Sequence, residues 1–400
     1  MHPRSGGSAA TLVLASAGVR SAPSRAAPSS VPPPPPEGTV RFATFNAALS
    51  RPEPGALLAD LAAPGNRQVR NVAEIVQRVR PDVLLVNEFD HDPHRLGPRL
   101  FQDHHLARGV RGARGIDYPY VYTGPVNTGV ASGADLDGNG KVVTRPGTLE
   151  HAGDAFGFGL FPGQYGMVVF SRLPLLTDRV RTFRRFRWVD LPGAMLPNDP
   201  VTGRPFHDAA AREVMRLSSK AHWDIPVEAG GRRPVHLLAS HPTPPAFDGP
   251  ERRNVLRNHD EIRFWVDYLS GSAGHIYDDV GGRGGLPPRA PFVVAGDLNA
   301  DPDAGAGHPK AIRQLLEHPS VQDPVPSSRG GLGAAALDPS APEPEGHLRA
   351  DYVLPSDDLR VRGSGVFWPA ADDPLYRLTG DRPFPSSDHR LVWVDVDVRG

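Results

Sequence analysis

The segment Phe292-Val-Val-Ala-Gly-Asp-Leu-Asn-Ala-Asp301 ends an apolar run at Gly296 and delivers Asp297 and Asn299 two residues apart. In an extended chain such residues point to the same side. A carboxylate and a carboxamide therefore project together from the end of a core element, where they can hold one water or one phosphate oxygen between an anionic acceptor and a neutral donor. Taken alone, the segment reads equally well as an Asx turn closing a strand. Other polar residues also stand at the ends of apolar runs: Asn46, Glu88, His241, Asp351, Asp388 and His389. A lone Glu after a strand is usually solvated, and a lone His is more often a loop or satisfied core residue than a catalyst. Their joint occurrence carries more weight, because a layered sheet brings strand ends together along one edge.

The elements that must carry these residues follow from periodicity. Thr39-Val-Arg-Phe-Ala-Thr-Phe45 alternates as a strand, and Val83–Val86, Gly166–Phe170, Val235–Ala239, Phe292–Ala295, Asp351–Leu354 and Leu391–Val396 also read as strands. Asn71–Arg80 places Val72, Ile75, Val76 and Val79 on one helical face before Pro81 stops it. A second helix is expected at Asn258–Leu269, with Ile262, Trp265, Val266 and Leu269 on its buried stripe and Asn258 or Asp260 as its cap. Strands with helices between them indicate an α/β layered domain.

Composition narrows the chemistry. The formal net charge is -1, so no overall field draws the chain to nucleic acid or an anionic membrane. Cysteine is absent, which excludes disulfides, thiol catalysis and thiolate metal sites; any metal must sit on oxygen or imidazole ligands. No apolar run reaches the length of a membrane span. His2 and Arg4 precede a short apolar run, Ala9–Ala17, that ends in an A-x-A pattern like a secretory cleavage site; a plain Ala/Ser tail is the alternative. Residues 18–37 finish in Pro32–Pro36, read as a stiff spacer outside the fold. Residues 1–37 are thus expected to be a signal peptide and Pro-rich disordered linker, and residues 38–400 a single domain. The location would be extracellular or in the cell envelope with a leader, and cytoplasmic without one.

The segments Val40–Asn46, Pro81–Glu88, Tyr165–Pro174, Leu238–His241, Gly296–Asn299, Arg349–Tyr352 and Ser387–His389 together resemble the ordered motif set of the endonuclease/exonuclease/phosphatase superfamily. That superfamily includes deoxyribonuclease I-like nucleases, sphingomyelinases and inositol-polyphosphate phosphatases. The resemblance implies an α+β fold, a four-layer αββα sandwich of two packed mixed sheets flanked by helices, with the site at one edge. It implies that Glu88 is the principal metal carboxylate, with Asn46 beside it and Asp388 nearby. Asp297 would orient or deprotonate the attacking water and Asn299 would hold phosphate. His389 would face the scissile phosphate with its ring oriented by Asp351, and His241 would bind a phosphate oxygen or assist the leaving group. Mg²⁺ suits such an oxygen-rich set, with Mn²⁺ or Ca²⁺ as substitutes.

The stretches 90–164 and 176–215 exceed what a minimal nuclease of this kind needs. Arg179, Arg181, Arg184, Arg185 and Arg187 alternate with Val180, Phe183, Phe186 and Trp188. They could grip further phosphates, although a half-exposed strand with a basic outer face is the simpler expectation. Two segments, Arg216–Pro226 and His241–Trp265, resemble an exported bacterial branch of the superfamily. They offer Lys220, His222, Arg253 and Asn254 as substrate contacts. Asp135, Asp137 and Asn139 are spaced like the opening of a calcium loop, with Gly140 at the sixth position but Pro146 at the twelfth. A structural Ca²⁺ completed by a carboxylate from elsewhere is expected there, against a plain Asx turn.

The resulting expectation is a monomeric metal-dependent phosphoesterase acting on a phosphorylated small molecule, an inositol phosphate or a lipid headgroup. An exported nuclease is the second reading, and a catalytically inactive binding protein of the same fold the third.

Overall fold

The computed structural model describes residues 30–271, 273–331, 336–337 and 347–399. The proposed leader, residues 1–17, lies outside the described residues.

The strands are β1 (Thr39–Leu49), β2 (Val83–Phe89), β3 (Tyr120–Tyr122), β4 (Met167–Ser171), β5 (Arg181–Thr182), β6 (His222–Val227), β7 (Val235–Ser240), β8 (Phe292–Asp297), β9 (Ala336–Leu337), β10 (His347–Leu348), β11 (Asp351–Pro355), β12 (Arg360–Phe367) and β13 (Leu391–Asp397). One sheet has the order β12-β13-β1-β2-β4-β3 and the other β11-β8-β7-β6-β5; β9 and β10 form a separate pair. Both large sheets are mixed, since β1 and β2 run parallel, as do β7 and β8, while their other neighbours are antiparallel.

Strand period explains the layers. Val40, Phe42, Val83, Leu85, Met167 and Val169 of the first sheet pack against Trp223, Ile225, Leu237, Ala239, Val293 and Ala295 of the second. Residues of opposite parity, Ala43, Phe45, Leu84 and Val86, face outward to Val69, Val72, Ile75 and Val76 of the Arg67–Val79 helix. On the far side Leu238, Val294 and Leu354 meet Ile262, Trp265 and Tyr268 of the Arg253–Leu269 helix. Burial on both faces is why these strands read as nearly continuous apolar runs. The result is the expected four-layer α+β sandwich.

Several elements differ from the sequence reading. The second helix begins at Arg253, five residues earlier than expected. Asp248 caps it from upstream, accepting the Asn254 and Val255 amides at 2.8 and 2.9 Å. Asn258 is instead buried within the helix and donates to the carbonyls of Thr243 and Leu298. The arginine run holds no long strand: Arg179 ends a 3-10 turn, β5 spans two residues, and Arg187 makes a single bridge to Arg216. Arg181 pairs with Asp278 at 2.8 Å, and Arg187 pairs with Asp190 at 2.8 Å and Glu213 at 2.9 Å. Residues 30–37 lie against the domain: the Ser30 hydroxyl donates to Asp373, and the Pro33 carbonyl accepts from Arg41.

Gly296 sets how closely two site-bearing strands approach. Its φ is 154°, and a Cβ there would lie 1.9 Å from the Ser240 carbonyl oxygen of the neighbouring β7. Neither backbone can yield without separating His241 from Asp297. Gly296→Ala is therefore expected to destabilise the protein by more than about 3 kcal/mol. Urea midpoints at constant slope would measure this, and a midpoint matching wild type would contradict it.

Candidate active site

The carboxyl ends of the parallel strands β1, β2, β7 and β8 share one edge of the sandwich with the starts of β11 and β13. Asn46 ends the regular part of β1, and Glu88 lies near the end of β2 with φ 55°. Asp297 and Asp351 sit directly opposite each other in the β8–β11 register. His241 follows β7, and His389 precedes β13.

These residues converge. Asn46 Nδ2 donates to Glu88 at 3.2 Å and to Asp297 at 2.9 Å, bridging the two sheets. His389 Nδ1 is 2.7 Å from Asp351 Oδ2, and its Nε2 is 3.6 Å from Asp297 Oδ2. His241 Nε2 is 3.4 Å from the same Asp297 oxygen. The Asn299 amide donates to Asp297 Oδ1 at 3.0 Å, while its side chain donates to the Pro242 carbonyl at 3.2 Å. Asn299 adopts φ 51°, a left-handed conformation Asn tolerates better than most residues.

The electrostatics are strongly polarised. Burial raises the Glu88 pKa, with Asp388 and Asp297 adding to it against His389 and Asn46. Asp297 is raised for the same first reason, with Asp351 adding to it while His389 and the bonds from Asn46 and Asn299 hold it down. For His389, burial opposes the charged form, but Asp351, Asp297 and Asp388 outweigh it and the imidazolium is favoured. His241 is driven the other way, well below its usual value, by burial and then by the Lys220 and His389 charges. The two histidines thus differ in protonation, one cationic and one neutral.

Lys220 is buried, with Nζ 3.4 Å from the Pro242 carbonyl; burial lowers its pKa against the pull of Glu261, Asp297 and Glu88. Asp388 is half-buried, its Oδ1 3.4 Å from the Ser387 hydroxyl oxygen. Ser387, Ser50 and Glu261 were not singled out from sequence. The Ser387 hydroxyl donates to the Asn46 carbonyl and accepts the His389 amide, and Ser50 donates to Glu88 at 3.3 Å. Glu261 accepts the Ser219 and Thr243 amides at 2.6 Å each and so clamps the segments carrying Lys220 and His241. Ser387 had a signal in the Ser-Asp-His run; Glu261, within a helix, had none.

Three expected substrate contacts are placed otherwise. His222 lies within β6, 1% exposed, with Nδ1 2.8 Å from the Ser218 hydroxyl and Nε2 2.8 Å from the Glu261 carbonyl. It packs between Phe264 and Trp265, a core histidine rather than a ligand-binding one. Arg253 pairs with Glu251 at 2.7 Å, and Asn254 donates to the Ala246 carbonyl at 2.7 Å, so both brace the loop before the helix.

Burial pushes the His222 pKa down to about 4 from 6.5, with Glu261 opposing. The folded state keeps it neutral while the unfolded chain takes up a proton. Its contribution is complete above pH 6.5 and is lost as pH falls toward 4, amounting to about 2 kcal/mol by about pH 5. His222→Gln should flatten the decline of Tm across that interval. Parallel Tm profiles for variant and wild type would contradict this.

A metal can be tested against the donor set. Glu88, Asp297, Asp351 and Asp388 face two cationic groups, His389 and Lys220, which leaves excess negative charge that a divalent cation would balance. Glu88, Asn46 and Asp388 supply the oxygen donors such an ion requires. Asp297, Asp351 and His389 also lie close enough to share an ion. The short His389–Asp351 hydrogen bond instead makes that trio an imidazole held between two carboxylates. At the second cluster, Asp154 comes within ligand-sharing distance of Asp135 and Asp137. There Asp135 accepts the amides of Gly138, Asn139 and Gly140, and Asn139 donates to Asp137, hydrogen bonds that shape the loop around the three carboxylates.

This fold and the ordered strand-end residues define an endonuclease/exonuclease/phosphatase protein. The chain belongs to that family, whose model matches residues 43–389. Among solved structures, an endonuclease/exonuclease/phosphatase from Beutenbergia cavernae is similar at TM-score 0.50 and 18% identity, covering 91% of this chain and 72% of that one. The human Nocturnin catalytic domain with bound sulfate gives TM-score 0.47 and 14% identity over 90% of this chain and 93% of that one. Sphingomyelinase C from Streptomyces griseocarneus gives 0.45 and 14% over 89% and 99%. Among curated proteins, none matches the sequence.

Proposed function

We propose that this chain is a metal-dependent phosphoesterase that hydrolyses a phosphomonoester or phosphodiester by in-line attack of water. Its substrate on this reading is a phosphorylated small molecule, an inositol phosphate or a lipid headgroup. The observation that carries the proposal is the convergence of the Asn46 amide and the His241 and His389 imidazoles on one carboxylate oxygen, Asp297 Oδ2.

Asp297 takes the proton of the attacking water, its carboxylate fixed by Asn46 and the Asn299 amide. A pKa raised by burial brings it closer to that of a general base working near neutral pH. His389, kept cationic by Asp351, donates to a phosphoryl oxygen. Neutral His241 can donate one hydrogen bond without adding charge, which suits a phosphoryl or leaving-group oxygen. Lys220, whose charge acts on Asp297 and Glu88, adds positive potential. Glu88, Asn46 and Asp388 would hold Mg²⁺, with Mn²⁺ or Ca²⁺ served by the same oxygens; when bound, the ion neutralises charge on the phosphate. Fixed groups of this kind act without reorganising during the reaction.

Among the described residues no helix is long and apolar enough to cross a membrane. Export would rest on the Ala9–Ala17 segment alone. Initial rates on p-nitrophenyl phosphate, bis-p-nitrophenyl phosphate, inositol phosphates and plasmid DNA test the substrate class. Preference for the small esters is expected. Plasmid nicking as the dominant activity, with steep salt dependence, would replace this reading by a nuclease.

A further inference from the structure

Beyond β2 the chain forms one wall of a cavity of about 340 Å³. Its polar lining includes His91, Arg95 and Arg184, and its apolar lining includes Val126, Val130 and Pro162. Thus both extra stretches, 90–164 and 176–215, contribute to one concave surface. His91 follows Glu88 by three residues, so their Cα atoms are at most about 11 Å apart.

Arg184 stands apart from the rest of its run. Arg181 and Arg187 are consumed by Asp278, Asp190 and Glu213. Arg184, half-buried, has no side-chain hydrogen bond or ion pair among the described residues, and neither does Arg95. The acidic group whose charge acts on Arg184 is Asp279, and its oxygens already accept the Arg185 amide and the Thr182 hydroxyl at 2.7 Å each. Asp92, beside His91, is likewise occupied by the amides of His94, Leu96 and Gly97. Arg95 itself is held at φ 56°. A half-buried guanidinium, that of Arg184, an exposed one, that of Arg95, and an imidazole therefore line a partly apolar hollow with no carboxylate committed to them, although a half-buried guanidinium such as Arg184's ordinarily finds one.

From this geometry we infer that the cavity is a binding subsite for a second anionic group of the substrate, a phosphate or a group of similar charge and shape, carried on the part that does not react. The inference rests on the phosphoesterase reading of the adjoining site. It makes the substrate a phosphoester with a second anionic end, whose apolar or ring portion lies against Val126, Val130 and Pro162.

The test compares myo-inositol 1,4-bisphosphate with myo-inositol 1-phosphate, using the full chain with saturating Mg²⁺. In wild type the bisphosphate should be preferred. In Arg184→Ala the ratio of kcat/KM for bisphosphate over monophosphate should fall about 30-fold, in line with loss of a charge-assisted hydrogen bond, and Arg184→Lys should recover part of it. Arg95→Ala should lower the same ratio. An unchanged ratio in folded Arg184→Ala would overturn the proposal. If wild type hydrolyses neither ester, titration with inorganic phosphate decides separately. Phosphate affinity about tenfold weaker in Arg184→Ala would keep the anion site and leave the phosphoesterase reading to the wider ester panel, and equal affinity would remove the site.

Discussion

Replacing Asp297 by Asn is expected to lower kcat about 1,000- to 10,000-fold, the largest effect of any single substitution in the site. The exchange preserves shape, and the Asn299 amide can still donate to the new carbonyl oxygen. What changes is the second oxygen. In the native protein it accepts from Asn46 and faces both His241 and His389. An amide group there would present hydrogens to the Asn46 donor and could not take a proton from water. It would also remove one of the carboxylates that hold His389 cationic. KM should change far less than kcat, because the lost interaction forms as the water is deprotonated. A folded Asp297→Asn protein within tenfold of wild-type kcat would leave the general-base role without support.

Glu88→Gln carries the second-largest expectation, with a different signature. Glu88 is surrounded by other carboxylates, and burial raises its pKa. Its negative charge therefore costs stability until a cation joins it. The variant should need at least about 100-fold more Mg²⁺ for half-maximal rate, a ligand loss being no milder than the loss of an outer-shell partner. High Mg²⁺ should restore part of the activity. With EDTA present, the sign of the stability change should favour the variant, whose Tm should equal or exceed that of wild type. A lower rate with an unchanged Mg²⁺ requirement would show that Glu88 is not a metal ligand.

The parts of the fold legible in sequence were those governed by local period. The runs at Thr39, Val83, Val235 and Phe292 are strands because they are buried on both faces, and the polar residues ending them meet because neighbouring strands stop at one edge. The meeting of Asn46, Glu88, His241, Asp297, Asp351 and His389 was readable for that reason. Strand β6 was not. It contains His222, Asp224 and Pro226, a polar-looking sequence whose burial depends on distant partners. Asp224, for instance, is satisfied by His236 and Tyr268. The resemblance offers His222 as a substrate contact, whereas it is a core residue of this strand. The start of the Arg253 helix was hidden because its cap, Asp248, sits several residues upstream across a loop. Arg181, Arg184 and Arg187 share a sequence context but not a role, since their partners lie on segments far along the chain. Only the folded structure separates the paired guanidinium groups from the uncommitted one.

The central claim is that this edge hydrolyses phosphate esters with Asp297 as the base and a divalent ion on Glu88. Phosphate release from the small-ester panel, with Mg²⁺, Mn²⁺, Ca²⁺ or EDTA, in wild type and Asp297→Ala, measures it most directly. The account predicts release that EDTA abolishes, that a divalent ion restores, and that the variant lacks under every condition. Release that survives EDTA, or that persists undiminished in a folded Asp297→Ala protein, would contradict it.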